Sequence, residues 1–223
     1  MDRVLEPELM DEEEQARAYA EGDFAEAHDR HVGIFLRSWP AEQGPIRGPI
    51  LDLGCGPGDV TLRIARACPE AVIHGVDGSA AMLRHGRERV AAEGLADRVT
   101  LVEGFLPRDA PPLSAYPVVV SSSLLHHLHD PSVLWESVRR FGAPGAFVFV
   151  VDLMRPDTPA DVDRMLDTYA AGAPDILRRD YAASLFAAFT LDEVQAQLRG
   201  AGLNQLAVEP VSDQHLVVRG TLA

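Results

Sequence analysis

The chain has 223 residues, of which 47% are hydrophobic and 24% are charged. These values are typical of a globular protein and exclude collagen-like, coiled-coil and largely disordered chains. Acidic residues outnumber basic residues by 34 to 20, which gives a formal net charge of -14 at pH 7. A protein of this charge repels phosphate groups, so we expect no nucleic acid and no membrane among its partners.

All 20 basic residues are arginines, which excludes mechanisms that need a Schiff-base lysine or a phosphate-loop lysine. The cysteines, Cys55 and Cys68, are too few for a disulfide framework or a cysteine-based zinc site. The acidic N-terminus lacks the apolar core of a signal peptide, and no apolar run approaches the roughly 20 residues of a membrane span. We therefore expect a soluble, cytoplasmic protein.

The length favours a single domain, within which the pattern of the sequence changes once. Apolar residues recur at helical spacing in residues 1–45, which predicts one or two amphipathic helices. These helices either form a lid, with Tyr19, Phe24 and His28 covering a bound ligand, or only cap the sheet behind them. A connector rich in glycine and proline leads into the core, residues 46–223.

In the core, apolar strands alternate with helical segments, which is the pattern of βαβ units. Strands are predicted at 50–53, 71–77, 98–104, 117–123 and 146–153, and helices at about 59–68, 80–92 and 131–140. Runs as apolar as AFVFVVDL are typical of strands that are covered on both faces. The sequence therefore predicts an α/β fold with a doubly wound, mostly parallel sheet.

The C-terminal part departs from this alternation. Residues 155–189 form a helical insertion, and a further helix follows with Thr190 as its N-cap and Glu193 at the capping-box position. Two short strands joined by the polar turn 212–214 end the chain, and they predict an antiparallel hairpin that completes a seven-stranded sheet. If the first of these strands runs parallel to the others, the turn lies at the edge where the parallel strands end.

A strand runs directly into a glycine-rich turn and a helix in the segment LDLGCGPGD. Gly54, Gly56 and Gly58 permit positive φ angles and let a ligand approach the backbone, and the start of the helix offers free N–H groups. The third glycine comes one residue earlier than in the dinucleotide-binding fingerprint, and Asp52 precedes the turn. The next strand ends in Asp77, whose carboxylate can bind both hydroxyls of a ribose. The alternative is a tight turn without a ligand, with Asp77 as a helix cap.

The segments ILDLGCGPGDV and VDGSAAML resemble the first two motifs of the class I S-adenosylmethionine-dependent methyltransferases. The resemblance covers roughly residues 47–219 and implies a Rossmann-like fold that binds S-adenosyl-L-methionine and releases S-adenosyl-L-homocysteine. It implies that the glycine turn contacts the methionine and ribose parts, and that Asp77 binds the ribose hydroxyls. The implied cofactor residues are Asp52, Gly54, Cys55, Gly56, Gly58, Asp77, Gly78, Met82, Gly104, Phe105, Ser121 and Tyr19.

One position departs from the family pattern. Where the family usually has an aspartate that binds the adenine amino group, this sequence has Phe105. Backbone groups of Gly104 and Phe105, or stacking of the Phe105 ring, would then replace the carboxylate. The alternative is that Phe105 is a core residue.

The fourth strand ends in SSSLLHHLHDP, and LLHHLHDP is similar to a segment of small-molecule methyltransferases related to the ubiquinone and menaquinone biosynthesis enzymes. The similarity implies that Ser121 and its neighbours contact the methionine part of the cofactor and that His126 faces the transferred methyl group. His126 would then act as a base or as an acceptor contact, because imidazole titrates near neutral pH. His127 and His129 are expected to be packing residues. Three histidines this close also suggest zinc, but no cysteine and no H-x-x-x-H helix accompanies them, so no metal is expected.

The acceptor is expected at the carboxyl ends of the fourth and fifth strands, where ligands of α/β sheets bind. Candidate acceptor contacts are His126, Asp152, Arg155, Asp213, His215 and Tyr181. Arg155 suits a carboxylate or another anion. The alternative is an ion-pair network that holds the C-terminal hairpin to the sheet.

These observations predict methyl transfer from S-adenosylmethionine to a small molecule by in-line displacement. Two other functions stay open. A protein that binds the cofactor without catalysis would have a collapsed acceptor pocket, and a nicotinamide-dependent oxidoreductase would bind NAD instead. The sequence does not distinguish carbon, nitrogen, oxygen and sulfur acceptors, nor a monomer from a homodimer.

Overall fold

The computed structural model describes all residues from Met1 to Ala223. The helices are α1 (Glu13–Glu21), α2 (Ala25–Ser38), α3 (Asp59–Ala67), α4 (Ala80–Ala92), α5 (Ser132–Phe141), α6 (Pro159–Tyr169), α7 (Asp175–Ala187) and α8 (Leu191–Gly200). The strands are β1 (Pro49–Leu53), β2 (Val72–Asp77), β3 (Val99–Glu103), β4 (Tyr116–Ser122), β5 (Gly142–Leu153), β6 (Ala207–Pro210) and β7 (His215–Thr221). None of these helices is long and apolar enough to cross a membrane.

All seven strands join one sheet in the order β3-β2-β1-β4-β5-β7-β6. Strands β1 to β5 pair in parallel, and β7 pairs antiparallel with both β5 and β6. This confirms the predicted α/β sheet, mostly parallel with an antiparallel strand in the C-terminal hairpin. Because β6 therefore runs in the same direction as β5, the turn between β6 and β7 lies where the parallel strands end. There the N–H of Met154 donates to the carbonyl of Gln214 at 2.8 Å.

Helices cover both faces of the sheet, which explains the continuous apolar runs in the strands. On one face, Trp135 of α5 and Leu198 of α8 belong to the same buried cluster as Leu51 of β1. On the other face, Phe35 of α2 and Leu62 of α3 belong to a second cluster. The predicted N-terminal helices are thus part of the folded core, and α2 packs directly against one layer of it.

The predicted capping box of the helix after the insertion is confirmed. The Thr190 side chain accepts a hydrogen bond from the N–H of Glu193, and the Glu193 carboxylate accepts one from the N–H of Thr190. The insertion itself contains α6 and α7. Its first helix begins with a second capping box, formed by Thr158 and Asp161, that the sequence analysis missed.

The strand order reverses between β1 and β4, because the chain runs outward from β1 to β3 and then returns to the other side of β1. Such a reversal leaves a crevice at the carboxyl ends of the strands. Residues 1–11, here called the N-terminal strap, cross this edge. The N–H of Val4 donates to the carbonyl of Phe186 at 3.0 Å, and the Ser79 hydroxyl donates to the carbonyl of Met10 at 3.0 Å. The strap therefore joins the end of α7 to the start of α4.

Leu51 of β1 is fully buried, whereas Val72 at the start of β2 is 40% exposed. We expect Leu51→Ala to lower the free energy of unfolding by about 2–5 kcal/mol, because it removes buried apolar surface and leaves a cavity. The matched substitution Val72→Ala should change it by about 0.5 kcal/mol or less. Urea denaturation of both variants measures the difference, and equal losses would contradict the central position of β1.

Candidate active site

A cavity of about 240 Å³ lies at the carboxyl ends of β1, β2 and β4, at the reversal in strand order. The glycine turn, the ends of these strands, the first two helices and the N-terminal strap all contribute to its wall. Among the predicted cofactor residues, the wall contains Asp52, Gly54, Cys55, Gly56, Asp77, Gly78, Met82, Gly104, Phe105 and Tyr19. Gly58 and Ser121 are not among the residues that line it.

The three glycines of the turn have different roles. All have positive φ, with values of 71° at Gly54, 50° at Gly56 and 74° at Gly58. A Cβ at Gly54 would lie 2.8 Å from the Leu124 side chain, whereas a Cβ at Gly56 would meet nothing within 4 Å. Gly56 therefore presents bare backbone to open space. Gly58 is the N-cap of α3, and a Cβ there would lie 3.4 Å from the Leu101 side chain.

Asp77 ties the turn to the end of β2. One carboxylate oxygen accepts the N–H of Gly56 at 2.8 Å, and the other accepts the N–H of Ser79 at 2.8 Å. Burial raises the pKa of Asp77 above its ordinary value. The side chain supports the start of α4, as the helix-cap alternative expected, and it also lines the cavity. Each oxygen keeps a lone pair for a further donor.

Asp52 lies at the end of β1 beneath the turn and is 2% exposed. Its carboxylate accepts the hydroxyl of Thr61 on α3 at 2.5 Å. Burial raises the pKa of Asp52 to about 7, although the Thr61 hydrogen bond lowers it. At neutral pH the floor of the cavity therefore holds a carboxyl group close to its midpoint of ionisation.

The backbone N–H groups of Gly104 and Phe105 have partners within the protein. The N–H of Gly104 donates to the carbonyl of Asp77 at 2.9 Å, and the N–H of Phe105 donates to the Asp109 carboxylate at 2.8 Å. Both N–H groups are thus already used inside the protein. The Phe105 ring is 43% exposed and lines the cavity, so stacking on a planar ligand is the role that stays available to it. Phe105 is not a core residue.

The first two helices place aromatic side chains at the cavity. The rings of Tyr19 and Phe24 lie 4.8 Å apart, and those of Phe24 and His28 lie 5.5 Å apart. Tyr19 and His28 line the cavity, while Phe24 packs between them. Nδ1 of His28 lies 2.5 Å from a carboxylate oxygen of Asp59, at the start of α3. These residues therefore form a side of the site as well as a cap on the sheet.

Of the serines predicted to contact the cofactor at the end of β4, Ser121 does not line the cavity. Ser121 is 2% exposed, and its hydroxyl donates to the carbonyl of Leu53 at 2.8 Å. Ser122 and Ser123 line the cavity instead. Because side chains alternate between the two faces of a strand, the neighbour of an inward-facing serine is the one that meets the cavity. Ser123 has a positive φ of 58° and ends the strand.

A similar shift separates the two adjacent histidines. His126 is 3% exposed and does not line the cavity, whereas His127 does. Nδ1 of His126 lies 2.5 Å from Oδ1 of Asp152, and the other Asp152 oxygen accepts the N–H of Leu125 at 2.7 Å. Although burial lowers it, the Asp152 carboxylate raises the pKa of His126. Burial lowers the pKa of His127 to about 3.

Glu6 of the strap also lies in this region, and no motif in the sequence predicts it as a site residue. Its Oε1 lies 3.3 Å from Nδ1 of His127 and 3.7 Å from Nε2 of His126, and its Oε2 accepts the Ser184 hydroxyl at 3.2 Å. Burial raises the pKa of Glu6. The strap therefore covers His126 on the side opposite Asp152.

The remaining acceptor candidates lie outside the cavity. Arg155 pairs with Glu193 at 2.6 Å and donates to the carbonyl of Ala188, so the ion-pair alternative describes it. Arg155 and Asp213 line a second depression, where both Asp213 oxygens accept the Tyr169 hydroxyl.

The other two candidates belong to the same end of the fold. Tyr181 donates its hydroxyl to the side chain of Gln214. His215 packs edge-on against His31, with 4.6 Å between the ring centroids. Neither side chain reaches the cavity wall.

Comparison with known proteins agrees with this geometry. The model of a methyltransferase domain family matches residues 50–145, which include the glycine turn, Asp77 and the two histidines. Residues 50–145 thus carry the methyltransferase domain of the class I S-adenosylmethionine-dependent methyltransferases. Among solved structures, the chain matches an S-adenosylmethionine-dependent methyltransferase from Aquifex aeolicus with a TM-score of 0.70 and 15% identity, covering 95% of this chain and 99% of the other. That likeness shows the fold.

Two curated relatives are similar in sequence. The 27-O-demethylrifamycin SV methyltransferase of Amycolatopsis mediterranei is 28% identical over 73% of this chain and 56% of its own length. The trans-aconitate 2-methyltransferase of Methylobacterium radiotolerans is 35% identical over 58% of this chain and 47% of its own length. The chain therefore spans about half the length of these relatives.

The buried Asp52 carboxyl predicts a dependence of stability on pH. Its pKa is raised to about 7 in the folded state from an ordinary value of about 3.9. Between these values the folded state holds a proton that the unfolded state releases, so Asp52 makes the free energy of unfolding fall as the pH rises. We expect the free energy of unfolding of Asp52→Asn, whose side chain cannot ionise, to fall less as the pH rises.

Urea denaturation of both proteins from about pH 4 to about pH 7, the interval between the two pKa values, measures this difference. Glu6 and Asp77 also have raised pKa values and titrate in both proteins, so only the difference between the two curves reports on Asp52. Parallel curves would contradict the assignment.

Proposed function

We propose that this protein transfers the methyl group of S-adenosyl-L-methionine to a small-molecule acceptor and releases S-adenosyl-L-homocysteine. The observation that carries the proposal is the pairing of Gly56 with Asp77. An open glycine turn and a buried carboxylate meet at the reversal in strand order, and both line one cavity. Ligands of α/β sheets bind at this place.

The residues present fit this cofactor. Asp77 is a buried carboxylate with free lone pairs, and ribose hydroxyls are donors that satisfy it. Because Gly56 has no side chain, a ligand can pass close to the protein backbone there. Met82, Leu9 and the exposed Phe105 ring supply apolar wall for a planar base. Tyr19 and His28 lie with the glycine turn on the methionine side.

When bound, the cofactor supplies a methyl group on a sulfonium, which an acceptor atom displaces in line. The protein has to align the two reacting atoms and exclude water. Tyr19 and the N-terminal strap line the cavity and help to exclude water from it. Ser122, Ser123 and His127 form the wall at the end of β4, and we assign the acceptor to this side. His127 thus takes the acceptor-facing position that the motif suggested for His126.

A small-molecule acceptor suits both the site and the charge of the chain. The strap forms part of the cavity wall, and the net charge of -14 opposes binding of a nucleic acid. The printed names of the two curated relatives refer to a rifamycin and to trans-aconitate, which are small organic molecules. Arg155 is the one cation among the predicted acceptor contacts, and it is paired with Glu193. An anionic acceptor therefore has no unpaired arginine of that set to bind.

One observation favours a second function, cofactor binding without catalysis. The Glu6 carboxylate lies against both His126 and His127, so the strap fills part of the acceptor side. A sensor of the cofactor would keep the strap in this position. An enzyme would have to move it when the acceptor enters.

Calorimetric titration tests the cofactor site. We expect S-adenosylmethionine and S-adenosylhomocysteine, but not NAD, to bind the wild type, and Asp77→Ala to weaken binding at least about tenfold, because hydrogen bonds to a charged group contribute about 1.5–3 kcal/mol. Glu103→Ala is the matched control, since Glu103 pairs with Asp77 across β2 and β3 and does not line the cavity. Binding that is indifferent to Asp77 would overturn the proposed function.

The glycine turn gives a second prediction. Gly56→Ala places a methyl group in open space at a positive φ, so it should cost about 1–2 kcal/mol of stability and sharply weaken binding of S-adenosylhomocysteine. Gly94→Ala, at a positive φ of 67° and with open space at the end of α4, is the matched control for backbone strain. It should lose similar stability and keep its affinity. Equal affinities of the two variants would show that the ligand does not pass Gly56.

Catalysis itself is measured by release of S-adenosylhomocysteine in the presence of panels of carboxylic acids, phenols and hydroquinones. Acceptor-dependent release by the wild type, lost in Asp77→Ala and retained in Glu103→Ala, is the expected result. Tight cofactor binding without release for any acceptor would favour the sensor.

A further inference from the structure

Three potential metal ligands from distant parts of the chain meet beside the cavity. They are Oε1 of Glu6, Nε2 of His126 and Nδ1 of His127, and all lie within 4.8 Å of one another. The Glu6 oxygen lies 3.3 Å from the His127 nitrogen and 3.7 Å from the His126 nitrogen. The side chains of Glu6 and His126 are 7% and 3% exposed.

This cluster lacks the partners that buried polar groups normally have. Neither Oε1 of Glu6 nor Nδ1 of His127 has a hydrogen-bond partner in the protein, and both atoms are buried. Orphaned buried acceptors are costly and rare in folded proteins. The nearby guanidinium of Arg3 does not satisfy them, because its N–H groups donate to the carbonyls of Ala187, His126 and Leu128.

Asp152 orients the His126 ring so that Nε2 is free to bind a ligand. Nδ1 lies 2.5 Å from the Asp152 carboxylate, which accepts a hydrogen bond from the Nδ1–H and thereby places the lone pair of the neutral ring on Nε2, toward Glu6. A carboxylate behind a histidine is the arrangement that orients metal-binding imidazoles in proteins. Asp152 is itself held by the N–H groups of Leu125 and Leu153.

We propose that Glu6, His126 and His127 bind a first-row divalent cation, with zinc as the best match. Two imidazole nitrogens and one carboxylate oxygen are a donor set of zinc sites that keep a position open for a further ligand. Tetrahedral ligands at about 2.0–2.2 Å from zinc lie about 3.4 Å apart. The distances of 3.3 Å and 3.7 Å around Glu6 Oε1 are close to that separation.

The cation would connect two functional parts of the protein. His127 belongs to the cavity wall and Glu6 belongs to the strap, so a bound cation holds the strap over the acceptor side and stands within reach of a cavity ligand. Oxygen and sulfur anions are the ligands that zinc accepts in an open position. This inference goes beyond the proposed methyl transfer and does not depend on it.

The expectation that the histidine cluster binds no metal rested on the local sequence alone. No cysteine and no helical histidine pair accompanies the LLHHLHDP segment, yet the third ligand comes from Glu6, 120 residues before His126. His129, the third histidine of the segment, is not part of the site, because its Nε2 bonds to the backbone carbonyl of Glu6 at 2.7 Å.

Titration of the purified, metal-free full-length chain with zinc chloride in a calorimeter tests the proposal. We expect one zinc per chain, and a dissociation constant at least about tenfold higher in Glu6→Gln and in His127→Ala, since each removes one ligand. Asp152→Asn, which keeps the three ligands, should weaken binding about 10- to 100-fold. Substitution by cobalt(II) gives a second readout, because its visible absorption spectrum reports nitrogen and oxygen ligation directly.

Two controls separate the site from adventitious binding. Asp2→Asn removes an exposed carboxylate from the same strap, and His85→Ala removes a histidine near Glu13; both should bind zinc like the wild type. Circular dichroism of every variant confirms that it folds. No stoichiometric zinc binding, or binding that Glu6→Gln and His127→Ala leave unchanged, would overturn the proposal. Neither result bears on cofactor affinity, which the titrations with S-adenosylhomocysteine measure separately.

Discussion

The hydrogen bond from the N–H of Gly56 to the Asp77 carboxylate is the contact on which the site depends. It joins the turn after β1 to the end of β2, and the N–H groups of Gly54 and Cys55 reinforce it by donating to the carbonyl of Val76. The turn is therefore held open by its neighbour strand before any ligand arrives. Preorganisation of this kind lowers the cost of ordering the site on binding.

Several buried carboxyl groups lie around one cavity, and each has different hydrogen-bond partners. Asp52 has a single hydroxyl partner and titrates near neutral pH, while Asp77 is supported by backbone N–H groups. Asp152 accepts from an imidazole and two backbone N–H groups. Glu6 alone keeps an oxygen without a partner. Because burying a carboxylate is costly unless it is paired, this difference singles out the region around Glu6 as the one suited to a positive ligand.

The N-terminal strap links the two halves of the site. It contacts α7 and the turn after β4 at one end, through Val4 and Arg3, and the start of α4 at the other, through Met10. Its middle contributes Glu8 and Leu9 to the cavity wall and Glu6 to the histidines. Entry of any ligand into the cavity is therefore coupled to the position of a short extended segment that few backbone hydrogen bonds hold in place.

Local features of the sequence determined the fold class and the cofactor half of the site. The glycine turn, Asp77 and the capping box of Thr190 and Glu193 are strand-turn-helix features whose geometry follows from neighbouring residues, so pattern and spacing were enough to place them. The strand order and the identity of the acceptor wall were decided by the tertiary structure.

The physical reason is the direction of side chains and the distance along the chain. A step of one residue turns a side chain to the other face of a strand, or by about 120° in a 3₁₀ turn such as Leu125–His127. The motif alone therefore could not distinguish Ser121 from Ser122 or His126 from His127. Glu6 reaches the histidines only because α7 and the end of β4 hold the strap across the sheet edge. Contacts between residues so far apart in sequence exist only once the chain has folded.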